Sequence, residues 1–125
     1  MQPEQVVRQL WNRISARDWP GVSQLLAPDV RLQWPATGEV FVGAGNFVAI
    51  QSEYPEGWSI NVLSVLVQGR TVVSEVEVPH EEFGVFRAAS FWTVGDGVIT
   101  AGTEYWVTVR GEEPPDWRAR YALPR

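Results

Sequence analysis

The 125-residue chain has no lysine, no cysteine and one histidine, His80. The missing lysine removes Schiff-base chemistry and the phosphate-binding lysine of nucleotide loops. The missing cysteine removes thiol nucleophiles, disulfides and thiolate zinc sites. A lone histidine leaves no His-rich metal site, and a Ser–His triad would have to run through His80. Positive charge is scarce too: ten arginines face fifteen acids, for a net charge of −5. That balance speaks against nucleic acid, whose binding needs a basic, counterion-releasing surface. What remains for chemistry is carboxylates, hydroxyls, three tyrosines and the arginines, set among seven tryptophans. Neither a metal nor an organic cofactor is expected.

Long apolar runs are also missing. No segment approaches the roughly 20 apolar residues of a membrane span, and Met-Gln-Pro-Glu-Gln opens without the charged start or apolar stretch of a signal peptide. A cytoplasmic protein with no membrane partner is the expectation. The length suits a single domain over 1–125.

The N-terminal half reads as helical. Val6, Val7, Leu10, Trp11 and Ile14 form one apolar stripe over 3–17, with Pro3 and Glu4 in the first turn. Asp18 is placed to cap a short second helix over 19–26. A strand over 30–35, a Thr37-Gly38 turn and a strand over 39–42 follow. Gly43 then opens a third helix over 44–54, whose Phe47, Ile50 and Tyr54 share a face. From Trp58 the pattern changes to four β-branched and aromatic runs: 58–68, 71–79, 85–94 and 98–110. Gly69-Arg70 and Gly95-Asp96-Gly97 between them are hairpin signals. The expected fold is α+β, with three helices on one face of a strongly curved, mainly antiparallel sheet. Residues 111–125 are Pro-rich but carry Trp117 and Tyr121, so this tail is expected to dock on the core (about 4–110).

Alternation sorts the strand residues onto faces. Val72, Ser74, Val76 and Val78 oppose Val73, Glu75 and Glu77; Phe86, Ala88, Ser90 and Trp92 oppose Arg87, Ala89 and Phe91; Gly102, Glu104 and Trp106 oppose Thr103, Tyr105 and Val107. Both faces are largely apolar or aromatic. One must carry the helices; the outer one is expected to meet a second copy of the chain as a homodimer.

Asp18-Trp19 between the first helices, Leu26-Ala27-Pro28-Asp29-Val30, the helix-opening Gly43, and Asp96-Gly97-Val98-Ile99 leading to Thr103-Glu104-Tyr105-Trp106 resemble the NTF2-like superfamily, and within it the SnoaL-like branch. The likeness runs over roughly residues 4–110. It implies a cone whose pocket is closed by helices and lined by the concave sheet. It also places Glu104 where polyketide cyclases and limonene epoxide hydrolases hold a catalytic aspartate, and Glu77 where the hydrolase has its second aspartate. Glu75 falls on the arginine between that enzyme's acids, a reversal of charge. Arg31 and Gln33 fall near the groups that position its water. Ketosteroid isomerase chemistry fits poorly: Trp34 stands at the base, Leu10 or Trp11 at the oxyanion-hole tyrosine, and Ala89 or Ser90 at the hole's acid.

Glu104, Glu77 and Glu75 are thus the candidate catalytic residues. Arg31, Gln33, Trp34, Tyr54, Ser90, Trp92 and Trp106 are the candidate ligand-binding set. Carboxylates enclosed by tryptophans lose solvation, which raises their pKa and poises them for acid/base work. Against this, Glu75 and Glu77 can lie on a solvated strand face or pair with Arg87 or Arg31. His80, in a loop beside two acids, reads as an exposed residue. The expected function is binding of a small, largely apolar molecule, with cofactor-free acid/base catalysis of isomerase, cyclase, dehydratase or hydrolase type. The alternative is a non-catalytic binding or dimerising accessory module.

Overall fold

A computed structural model describes residues 1–125. The elements are α1 (Pro3–Ser15), α2 (Trp19–Gln24), β1 (Leu26–Trp34), β2 (Glu39–Val42), α3 (Ala44–Ser52), β3 (Asn61–Gln68), β4 (Thr71–His80), β5 (Gly84–Gly95), β6 (Val98–Thr108) and a 3-10 turn at Asp116–Tyr121. One six-stranded sheet runs in the order β2-β1-β6-β5-β4-β3. All neighbours are antiparallel except β1 and β6. The α+β expectation holds, with the parallel β1–β6 pair joining the two halves of the chain.

Local chemistry sets the helix limits. Pro3 opens α1, where a missing N–H costs nothing, and the Gln5 side chain accepts from the Gln2 amide at 2.9 Å. The helix stops two residues before the expected 17 because Arg17 takes a left-handed conformation (φ 58°). Asp18 caps α2 as expected, its carboxylate accepting from Gly21 N at 3.0 Å. Val6, Val7, Leu10, Trp11 and Ile14 are all buried along α1, which lies across the inner faces of β3 to β6. Each such aliphatic side chain contributes roughly 1.5–3 kcal/mol by leaving water. Phe47 of α3 and Val22 of α2 complete this core against Trp92, Val72 and Ile99.

Strand register decides what the core side of the sheet carries. Val72, Trp92 and Gly102 lie in one cross-strand row, Ser74, Ser90 and Glu104 in the next, and Val76, Ala88 and Trp106 in the third. All three rows face the helices. A Cβ on Gly102 would stand 2.5 Å from the Trp92 ring, so only glycine lets that indole lie over β6. The alternate rows, including Glu75–Ala89–Tyr105 and Glu77–Arg87–Val107, face outward.

The tail departs from expectation. Trp117 is 69% and Tyr121 72% exposed. Pro114 and Pro115 cannot donate to a strand, and the tail's ion pair, Arg125 to Glu113, is made within itself. It does not dock on its own core. No helix of the chain is long and apolar enough to cross a membrane.

Candidate functional site

A cavity of about 310 Å³ opens between α3, the segment after it and the inner sheet face. Its deep wall is Glu104 and Trp11, which are 2% and 3% exposed. Trp34, Trp58, Trp106, Ile60, Val78 and Phe86 form the sides, and Ala36, Thr37, Gln51 and Tyr54 the more exposed mouth. Glu104 is the only acid on this wall, and no arginine or histidine lines it.

Three groups hold the carboxyl. Ser90 Oγ donates to Oε2 at 2.6 Å, and the indole N–H groups of Trp34 and Trp106 donate to Oε1 at 3.0 and 3.4 Å. The 2.6 Å contact is in the range of a charge-assisted hydrogen bond. Burial pushes the Glu104 pKa up from its ordinary 4.5, while the three donors, Ser90 foremost, pull the other way. Burial prevails. The carboxyl is therefore both poised to carry a proton and surrounded by groups that welcome its anion.

Beneath it lies a second polar knot. Ser74 Oγ, fully buried, accepts from the indole N–H of Trp11 at 3.0 Å and of Trp92 at 2.9 Å. Two tryptophans from different elements thereby share one hydroxyl, and Trp11 is held as cavity wall. On the far side, Arg17 locks Trp58. Its guanidinium lies 3.3 Å from the indole centroid, donates to Trp58 O at 2.7 Å and pairs with Glu56 at 2.8 Å. That hydrogen bond to Arg17 holds the exposed Glu56 carboxyl below its ordinary value. The Trp58 Nε1–H is buried without a partner.

The sequence-derived candidates divide into three groups. Glu104, Trp34, Trp106 and Tyr54 meet at the cavity. Ser90 stands behind Glu104 as its donor, and Trp92, 1% exposed, is core rather than wall. Glu75, Glu77, Arg31 and Gln33 are not brought to the site. Glu75 and Glu77 alternate with the buried Ser74, Val76 and Val78, so they project outward, where Glu77 accepts from Arg87 at 2.9 Å. Arg31 and Gln33 alternate with the buried Leu32 and are exposed for the same reason. A strand residue one place off the inward set belongs to the other face, whatever its homologous role.

Two residues carry more than the sequence reading assigned them. Trp11 is cavity wall as well as helix core. His80 is 6% exposed rather than solvated: its Nε2 meets Pro55 O at 3.0 Å and its Nδ1 accepts from Glu82 N at 3.0 Å. That pairing fixes the Nε2–H tautomer, because Nδ1 is already an acceptor. Its ring stacks on Phe83 at 4.2 Å and meets the edge of Tyr54, tying the cavity mouth to the β4–β5 turn. The register across the β4–β5 turn (His80 opposite Gly84) places Ser74 beside Ser90.

A curved α+β sheet closed by helices over one deep pocket is the NTF2-like architecture, and solved structures of that kind superpose on it. A candidate ketosteroid isomerase from Kribbella flavida DSM 17836 matches at 26% identity and TM-score 0.91, over 99% of this chain and 90% of that one. The candidate polyketide cyclase IdmH from Streptomyces antibioticus matches at 15% identity and TM-score 0.74, over 86% and 91%. An LEH-like epoxide hydrolase from M. tuberculosis matches at 16% and 0.71, over 84% and 82%. The profile of the SnoaL-like domain matches residues 7–102, and the chain belongs to that family. No curated protein matches the sequence.

Proposed function

We propose that the cavity binds one small, largely apolar molecule, with Glu104 as its polar anchor and as the group that gives or takes a proton on a reactive ligand. The observation that carries this reading is a buried carboxyl on the wall of an otherwise largely apolar cavity. Acid/base chemistry here runs through one carboxyl, since Glu75 and Glu77 lie on the other face of the sheet. A single acid suits enolisation or protonation of one atom better than two-acid activation of water. Binding without turnover is the second reading, favoured by the three donors that already engage Glu104.

The test is a tryptophan-fluorescence titration of small apolar alcohols, ketones and amines. Ala36→Trp, which fills the mouth, is expected to abolish binding while the far-UV spectrum and melting midpoint stay unchanged. Saturable binding that survives Ala36→Trp would remove the cavity from the function. Turnover found in the panel should fall in Glu104→Gln with binding of the uncharged ligands retained.

The outer sheet face supports the homodimer reading through exposed Leu66, Phe91, Tyr105 and Val107. Sedimentation equilibrium should give twice the chain mass, and Phe91→Glu with Tyr105→Glu should halve it.

A further inference from the structure

Glu104 has no cationic partner within the chain. A buried carboxylate is ordinarily paired with a cation or kept neutral. The arginines near the core are engaged elsewhere: Arg17 on Glu56 and Trp58, Arg87 on Glu77, Arg13 on Gly21 O, Arg70 on Val94 O. None lines the cavity. The immediate surroundings nevertheless suit the anion. Indole N–H groups donate and never accept, so Trp34 and Trp106 favour an acceptor-only carboxylate. A carboxylate has roughly four acceptor positions, and three donors are in place. One position is open.

We infer that the ligand of this cavity is a tertiary ammonium ion on an apolar body, its single N–H directed at Glu104 beside the indoles of Trp34 and Trp106. This rests on the ligand-binding reading above and names the class of ligand. The match is one of number and charge. A tertiary ammonium supplies the missing positive charge, one donor for one open acceptor, and methyl or methylene groups for the aromatic wall. That wall comprises Trp11, Trp34, Trp58, Trp106, Tyr54 and Phe86, and aromatic rings attract cations through their quadrupole. A primary ammonium would bring three N–H groups, while the remaining polar groups of the wall are the unpartnered Trp58 N–H, itself a donor, and Thr37, Gln51 and the Tyr54 hydroxyl at the mouth.

Binding is then linked to protonation. The groups that face Glu104, Trp34 from β1, Ser90 from β5 and Trp106 from β6, do not titrate, and Tyr54 is the one other ionisable group of the cavity wall. Burial raises the Glu104 pKa in the empty protein, so below that raised pKa a cation must displace a proton to pair with the carboxylate. Affinity therefore rises with pH until Glu104 is ionised in the free protein, then levels off for as long as the amine itself stays protonated.

The test is calorimetric titration of the full chain with N,N-dimethylbenzylamine, with isobutylbenzene as its uncharged carbon isostere, and with benzyltrimethylammonium, which keeps the charge and lacks the N–H. The amine is expected to bind about tenfold or more tighter than the isostere, the scale of one charge-assisted hydrogen bond. The quaternary ion should fall between them. Amine affinity should drop toward acid pH with one proton released per ligand, while the isostere is unaffected by pH. Glu104→Gln should erase the preference for the amine and leave the isostere's affinity intact. Equal binding of amine and isostere by the unmodified protein overturns the inference and leaves the apolar pocket standing. A preference that survives Glu104→Gln, or that ignores pH, places the cation elsewhere and overturns it too. Failure of all three probes to bind removes the pocket reading as well. The pH series and the isostere comparison need no variant, so they decide the matter even if Glu104→Gln does not fold.

Discussion

Ser74→Ala removes one oxygen atom and should cost far more than its size suggests. The hydroxyl is fully buried and accepts from two indoles, Trp11 at 3.0 Å and Trp92 at 2.9 Å. Its loss leaves two buried N–H donors without partners, each costing about 1–3 kcal/mol, or about 2–6 kcal/mol together. The space vacated is too small for a water to restore the bonds. Set against a total stability of roughly 5–15 kcal/mol, that is a large share. Equilibrium unfolding in urea should show the midpoint falling with an unchanged slope. A double-mutant cycle sharpens the reasoning. In a Trp11→Phe background one donor is already gone, so the same Ser74→Ala change should cost about 1–3 kcal/mol less. A loss below about 0.5 kcal/mol, or an identical loss in both backgrounds, would refute the shared-hydroxyl account.

Glu104 links stability to pH. Its folded pKa is raised above 4.5, so its contribution is fully present below that value and is lost as pH rises through the folded pKa. The melting midpoint of the wild type relative to Glu104→Gln should therefore decline from about pH 4.5 upward and then level off; a difference independent of pH would contradict the buried, proton-holding carboxyl. Gly102→Ala drives a Cβ to 2.5 Å from the Trp92 ring, and overpacking of this kind should destabilise by about 1–3 kcal/mol in chemical denaturation. Glu77→Gln breaks an exposed ion pair with Arg87, worth about 0–1 kcal/mol, and should leave every ligand titration unchanged; altered binding would restore it to the site.

Much of this molecule follows from its sequence alone. The α1 stripe, the Asp18 cap, the turn glycines and the period-two strands are local signals, decided within a few residues, and they specify an α+β chain of this order. The chemistry left by the missing lysine, cysteine and second histidine is likewise a matter of inventory, and it led to carboxylates among tryptophans. What the sequence could not decide is which of several glutamates shares a space with them. Alternation separated Glu75 and Glu77 from Ser74 and Val76, but choosing the inward set needed the register across β4, β5 and β6 and the helix that covers one face. The same holds for Trp92 and Trp11. An indole fills a core or walls a cavity with equal chemical ease, and only the packing of α1 and α3 on the sheet assigned Trp92 to the first role and gave Trp11 both. The pairing of Glu104 with Trp34, 70 residues apart in sequence, belongs to that packing alone, because burial and the donors that offset it come from segments that meet only in the folded chain.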